Sequence, residues 1–247
     1  MRLPAGLLLI IGLILMPAHA MAEEAPCQKR TLRQRAVTVC TLDLTRQSAR
    51  LYFKDQSGRP FGSLSSINER AHAQPGKMLF AMNAGMYHPD LSPVGLYIES
   101  GAEMKRISLA GGAGNFHMLP NGVFYLKGRS AGVMESRAFA KGKVAADFAS
   151  QSGPMLVLNG RLHPKFSGNG TSAKIRNGVG VRSATSLVFV ISDEPVTFTE
   201  FALMFRDDLK CRNALYFDGS ISSLYAPSVR RADSFMPVGP IVAGFDR

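Results

Sequence analysis

Short runs of β-branched and aromatic residues, broken every few positions by glycine, proline, asparagine or aspartate, dominate the chain. Ala36 to Leu44 alternates well enough to predict a strand, with Val37, Val39, Thr41 and Leu42 in a β-rich run. Arg50 to Phe53 predicts a second strand, followed by turn chemistry at Asp55-Gln56-Ser57-Gly58. Further strands are predicted at Met78–Met82, Gly95–Glu99, Val123–Leu126 and Met155–Leu158, the last ending in the hairpin signal Asn159-Gly160. Ser186–Ile191 and Ala214–Phe217 read as core strands.

Two segments read as helix. Ile67–Ala73 predicts a short one, stopped by Pro75-Gly76. Thr197-Phe198-Thr199-Glu200 matches a capping box, in which the threonine hydroxyl and the glutamate satisfy free backbone N–H groups. Phe201, Met204, Phe205 and Leu209 follow at helical spacing, so a helix is expected from about Thr199 to Leu209, its apolar face on a sheet. Strands outnumber helices without regular alternation, which disfavours a doubly wound fold. The fold class expected is α+β: one domain with a mixed, largely antiparallel sheet and a few packed helices.

The first residues change the picture of where the chain works. Met1-Arg2, an apolar run from Leu7 to Leu15 and the small-x-small site Ala18-His19-Ala20 predict a signal peptide over residues 1–20 and a mature domain over 21–247. The apolar run falls short of the roughly 20 residues a helix needs to span a bilayer, so no stable membrane span is expected after cleavage. The expected location is periplasmic or secreted. An oxidising compartment permits one disulfide among Cys27, Cys40 and Cys211, and all three pairings remain open.

The formal charge is +11, and Arg2 is the only charge within the signal. Such a balance favours anionic partners: phosphate-bearing glycans, lipid head groups or acidic polymers. The basic residues are scattered, with no helical stripe or interleaved aromatics, which argues against nucleic acid. The densest run, Lys29 to Arg35, reads as a solvated N-terminal segment. Gly128-Arg129-Ser130-Ala131-Gly132 fits a nucleophile-elbow pattern, but no helical stripe follows, so it reads as a hairpin turn. Gly178-Val179-Gly180 lacks the third glycine of a dinucleotide loop. No cysteine–histidine spacing suggests a metal, and no cofactor is expected.

What remains is a set of polar stretches at predicted strand ends. They are Asn83-Ala84-Gly85-Met86-Tyr87-His88, Asn115-Phe116-His117, Pro120-Asn121-Gly122, Gln151-Ser152-Gly153-Pro154, Arg176-Asn177-Gly178, Ser192-Asp193 and Asp218-Gly219-Ser220-Ile221-Ser222-Ser223. Amides and carboxylates suit sugar hydroxyls, and arginine suits phosphate. The order and spacing of Asn83-Ala84-Gly85-Met86-Tyr87, Pro93-Val94-Gly95-Leu96, Gln151-Ser152-Gly153-Pro154-Met155, Arg176-Asn177-Gly178-Val179-Gly180 and Ala214-Leu215-Tyr216-Phe217-Asp218-Gly219-Ser220 resemble the phosphodiester glycosidase family over most of the chain, from about Val37 to Val242. That family includes the enzyme that uncovers mannose-6-phosphate tags by removing N-acetylglucosamine, and short bacterial exported proteins. One departure stands out: many members carry Asp-Gly-Gly-Gly-Ser-Ser where this chain has Asp218-Gly219-Ser220-Ile221-Ser222-Ser223.

The resemblance implies hydrolysis of a sugar-1-phosphate diester, the partner being an anionic or phosphate-bearing glycan. It makes Asp218 the reacting-centre carboxylate, Asp193 a second carboxylate and Arg176 the group that neutralises the phosphate. Asn83, Asn177 and Ser223 would orient the substrate, with Gly85, Asn115, Asn121, Gln151, Ser152, Gly219 and Ser220 lining the site. His88, His117 and His163 are possible proton shuttles by their side-chain chemistry. The competing reading, favoured by the altered Asp218 loop, is a non-catalytic envelope protein that holds an anionic glycan.

Overall fold

The computed structural model describes residues 25–70, 76–166 and 170–247. The predicted signal peptide and the end of the predicted 67–73 helix lie outside them. The chain runs β1 (Cys27–Leu32), β2 (Arg35–Asp43), β3 (Ser48–Tyr52), α1 (Ser66–Arg70), β4 (Met78–Asn83), β5 (Tyr97–Glu99) and β6 (Ala102–Lys105). Next come β7 (Gly122–Lys127), β8 (Ser130–Glu135), α2 (Ser136–Gly142), β9 (Phe148–Ser152), β10 (Met155–Leu158) and β11 (Arg161–Leu162). The last third holds β12 (Asn177–Ser183), β13 (Ser186–Ser192), α3 (Phe198–Leu203), β14 (Asn213–Asp218), β15 (Leu224–Ala226), β16 (Arg231–Ala232) and β17 (Ile241–Phe245).

These strands form three antiparallel sheets, ordered β1-β2-β13-β12-β14-β10-β11, β16-β15-β4-β17-β3 and β6-β5-β9-β7-β8. The expected α+β class with a mixed sheet is therefore corrected. The fold is largely β, with 44% of residues in strands and 12% in helices. No helix of the described residues is long and apolar enough to cross a membrane.

Two local causes produce the shift. The capping box forms as expected, Thr197 accepting from the Glu200 N–H while Glu200 reaches back to the Thr197 N–H. The helix nevertheless ends at Leu203 and widens into one π-helical turn, Met204–Asp208. In addition, several strands carry no apolar alternation. β1 exposes its middle residues Lys29, Arg30 and Thr31 as an edge strand, so a basic run conceals it.

Strand β13 shows why the central sheet reads as a continuous apolar run. Leu187, Phe189 and Ile191 face one side, while Val188 and Val190 face the other, each side with its own core. On the first side the rings of Phe80, Phe124, Phe189 and Phe217 tie the three sheets together, with centroids 5.1–6.1 Å apart. On the second, Phe201, Met204, Phe205 and Leu209 are all buried against the sheet, as the helical spacing predicts. Gly180 lets them approach: a Cβ there would sit 2.6 Å from both the Phe205 ring and the Cys211 sulfur. The glycines that mimic a dinucleotide loop thus serve helix–sheet contact within β12.

Cys27 and Cys40 face each other in the β1–β2 register and form a disulfide across 13 residues, one of the three pairings left open by the sequence. Cys211 is the free thiol, and burial pushes its pKa up to about 12. Replacing Cys27 and Cys40 together by serine should lower stability by about 2–3 kcal/mol, the loop-closure entropy of a short loop. Urea unfolding of the oxidised and double-serine proteins measures it, and coincident midpoints would show that the bridge constrains nothing.

Candidate active site

The site lies where the first two sheets meet. Asn83 ends β4, Asn177 begins β12 and Asp218 ends β14, so three elements distant in sequence deliver their polar ends to one place. The delivery involves a bulge. Asn177 pairs with Asp218 while Gly178 pairs with Tyr216, which leaves Phe217 as an extra residue. Such bulges re-aim side chains at the ends of strands.

The asparagines form a closed bracket. Asn177 Nδ2 donates to Asn83 Oδ1 at 2.8 Å and to the Asn83 carbonyl at 3.0 Å. Asn83 Oδ1 also accepts from the Ser223 N–H at 2.9 Å, and its Nδ2 donates to the Ile221 carbonyl at 2.8 Å. Asn177 Oδ1 accepts from the Asp218 N–H at 3.1 Å. Ser222 Oγ closes the turn by donating to the Asp218 carbonyl at 2.9 Å. Both asparagines are fully buried, so these bonds carry their whole polar complement away from water. Asn83→Ala should cost about 1–3 kcal/mol, because it strands the Ser223 N–H and the Ile221 carbonyl. Hydrogen exchange at the Ser223 amide should accelerate with it, and unchanged protection there would contradict the bracket.

Asp218 Oδ1 accepts from the N–H groups of Gly219 at 2.6 Å and Ser220 at 2.8 Å. Burial raises its pKa above the ordinary carboxylate value, opposed by the N–H groups of residues 219–221 and by the charge of Lys174. Two tyrosines sense its charge. Burial chiefly, and Asp218 secondarily, push the Tyr87 hydroxyl up. Burial also pushes up Tyr216, where Asp218 adds to the rise and Arg176 opposes it. A Cβ on Gly219 would collide with the Tyr216 hydroxyl, so only glycine lets that oxygen lie against the turn.

Arg176 is wholly buried. Its Nε donates to the Val196 carbonyl at 2.8 Å, one terminal nitrogen to Tyr216 Oη at 3.2 Å and the other to the Ser172 carbonyl at 2.7 Å. The guanidinium lies 3.6 Å from the centroid of the Phe198 ring, and desolvation lowers its pKa. It is therefore linked to the Asp218 region through the tyrosine. Asn115 reaches the same hydroxyl.

Other predicted residues are placed around this centre. Ser152 Oγ donates to the Phe217 carbonyl at 2.8 Å, and Gly85 packs close against Ser150 and Gln151. Gln151 is occupied on both ends by Leu96, Ser108 and Ser136, and Asn121 Nδ2 is bonded to the Phe116 carbonyl. His163 is buried with its ring tilted against that of Phe166, and burial lowers its pKa. Its Nε2 lacks a well-formed partner among the described residues, although the Met118 and Leu119 carbonyls lie near. His117 contacts the Ala110 carbonyl, and His88 is exposed on its loop.

Asp193 stands apart from the asparagine bracket, paired with Arg231 and with Thr38 Oγ1. It lines a cleft of about 480 Å³ that runs along the outer side of the 219–223 turn. This cleft touches the turn and leaves the buried asparagines behind it. Three residues of the region escaped the sequence reading. Tyr216 was visible in principle, since it lies only two positions before Asp218 on one strand. Tyr87 sits within a quoted block, whereas nothing in the sequence distinguishes Lys174. Among the described residues no group of three or more histidine, cysteine, aspartate or glutamate side chains could hold a metal.

A family profile described as phosphodiester glycosidase (NAGPA) matches residues 76–238. An uncharacterized protein of Escherichia coli (strain K12), YigE, is 36% identical over 218 residues, 88% of this chain and 84% of the relative. The catalytic domain of zebrafish N-acetylglucosamine-1-phosphodiester alpha-N-acetylglucosaminidase, auto-inhibited by its pro-peptide, superposes with a TM-score of 0.59 at 13% identity. The match covers 90% of this chain and 82% of that one. A hypothetical protein from Synechocystis gives a TM-score of 0.55 at 14% identity, covering 90% of this chain and 61% of that one.

Proposed function

The chain belongs to the phosphodiester glycosidase family, and from that premise we propose that it is an exported hydrolase cleaving a glycosyl phosphodiester at the anomeric carbon. Its substrate is a sugar-1-phosphate diester of an envelope or extracellular glycan, worked on by one mature domain over residues 21–247. The observation that carries this reading is the meeting of Asn83, Asn177 and Asp218 beside an open cleft.

In the proposed reaction a water oxygen bonds to the anomeric carbon while the bond from that carbon to the phosphate oxygen breaks. The phosphate departs with the bonding pair as a monoester, already a good leaving group. Asp218 takes the water proton or faces the oxocarbenium charge. The buried bracket of Asn83 and Asn177 fixes the 219–223 turn and so holds that carboxylate in place. Tyr216, held by Arg176, offers its hydroxyl beside Asp218. The role proposed for Arg176 is thus to act on the site through Tyr216, since its own donors are bonded within the protein. Asp193, neutralised by Arg231, serves as the far wall of the cleft.

The alternative of a glycan-binding protein without turnover draws on one feature: the Gly219 and Ser220 N–H groups already hold the Asp218 carboxylate. Incubation with UDP-N-acetylglucosamine and with a panel of synthetic sugar-1-phosphate alkyl diesters separates the two. Release of free sugar from at least one diester supports the hydrolase. Tight binding of all of them without sugar release would leave the binding protein.

A further inference from the structure

The cleft beside the 219–223 turn is lined by both charged and apolar side chains. Lys174 is among them, exposed and close enough to Asp218 to act on its charge. Lys174 has no carboxylate in ion-pair contact among the described residues, whereas Arg231, also on the cleft, is neutralised by Asp193 and Asp233. Lys174 thus brings to the cleft a positive charge that no salt bridge of the described residues neutralises, beside the carboxylate of Asp218. Part of the wall is apolar, with Ile221 on the turn and Phe235 and Met236 on the loop after β16. Phe235 is 90% and Met236 55% exposed, the two most exposed large apolar side chains among the described residues. Ile221, Phe235 and Met236 line one cleft together, and apolar side chains gathered at a polar-rimmed cleft suit a ligand-binding surface.

The sequence departure falls at the same place. Ile221 stands within the stretch where the phosphodiester glycosidase pattern carries consecutive glycines. A glycine would leave the cleft without that wall, so the apolar lining is a property of this chain.

We propose that the cleft is the aglycone subsite, that Lys174 meets the phosphate, and that Ile221, Phe235 and Met236 receive an apolar group attached to it. The substrate class is then a sugar joined through phosphate to an apolar aglycone, a narrower class than sugar-1-phosphate diesters at large. The inference rests on the glycosidase reading for the word aglycone, but binding of an apolar phosphate needs no turnover and is measured separately.

Titration calorimetry with octyl phosphate, kept below its micelle concentration, and with glycerol phosphate provides the test. Octyl phosphate should bind about 10-fold or more tightly than glycerol phosphate, as expected when several methylenes leave water. The Phe235→Ala/Met236→Ala double variant should remove that preference, and because both residues are exposed it should unfold at the wild-type temperature. Ile221→Gly should reduce the preference, and Lys174→Ala should weaken both ligands alike. Equal binding of the two phosphates, or a preference that the double variant leaves intact, overturns the proposal. If diesters are hydrolysed with no discrimination between octyl and methyl aglycones, the subsite falls and the glycosidase stands. If octyl phosphate binds through these residues but no diester is turned over, the apolar phosphate site stands and the glycosidase reading falls.

Discussion

Asp218→Asn is expected to reduce turnover of a sugar-1-phosphate diester by about 10²–10⁴-fold while leaving the protein as stable as wild type or more so at neutral pH. The loss follows from charge. An amide keeps the shape of the carboxylate but neither accepts the proton of water nor faces an oxocarbenium ion with a negative charge. The retained stability follows from burial. The substituted amide would keep an oxygen for the Gly219 and Ser220 N–H groups, so the turn remains bonded. Because burial raises the folded pKa of Asp218, the fold favours the protonated form. Its contribution to stability is complete below the unfolded carboxylate pKa and is lost as pH rises through the higher folded value. Above that value the wild type holds a buried charge that the variant lacks. Melting temperatures of the two proteins should therefore differ least near pH 4 and below, and any gap at pH 7 should favour the variant. A variant that melts well below wild type at pH 7 would show that the charge itself holds the turn. Turnover by the wild type should fall as pH drops through the same raised pKa.

Arg176→Ala carries the largest expected effect on stability, about 3–5 kcal/mol, the range for truncating a large buried side chain. Three losses combine. The Ser172 carbonyl and the Tyr216 hydroxyl lose the guanidinium donor and the Val196 carbonyl keeps only the Lys174 N–H, the Phe198 ring loses its cation, and a void opens where a wholly buried side chain stood. Arg176→Lys keeps the charge, but a single ammonium cannot span the three acceptors that a guanidinium fork reaches, so it should recover only part of the loss. Denaturant titration of the three proteins reads this directly. Were Arg176 instead an accessible phosphate clamp, the alanine variant would unfold at the wild-type midpoint and lose phosphate affinity alone.

Much of the fold was legible where one physical signal acted without competition. The Ser186–Ile191 and Ala214–Phe217 runs are apolar because the central sheet is buried on both faces, and they stand in the structure as β13 and β14. The capping box at Thr197–Glu200 is a local hydrogen-bond pattern that needs no tertiary help. The class was misjudged because β1, β8, β9 and β12 are built from charged, small or glycine residues, whose strand character comes from their partners. Gly180 is the clearest case, since its lack of a side chain is explained only by Phe205 and Cys211 across from it.

The site divides in the same manner. Polar residues at strand ends are visible in a sequence, but which strand ends share one edge is decided by pairing. Asn83, Asn177 and Asp218 were brought together by the contact of two sheets, whereas Asp193 went to the far wall of the cleft with Arg231. Gln151 resembles a ligand-binding amide in sequence, and four internal hydrogen bonds to three residues make it a brace for the loops around Leu96 and Ser108. Lys174 resembles any surface lysine until the turn that it faces is known.

Isotope placement during hydrolysis tests the central claim most directly. A sugar-1-phosphate diester is hydrolysed in water enriched in ¹⁸O, and the products are weighed by mass spectrometry. Cleavage at the anomeric carbon, the reaction proposed here, places the solvent oxygen in the freed sugar and leaves the phosphomonoester unlabelled. Label in the phosphate, with the sugar unlabelled, would mean attack at phosphorus and would contradict the glycosidase account.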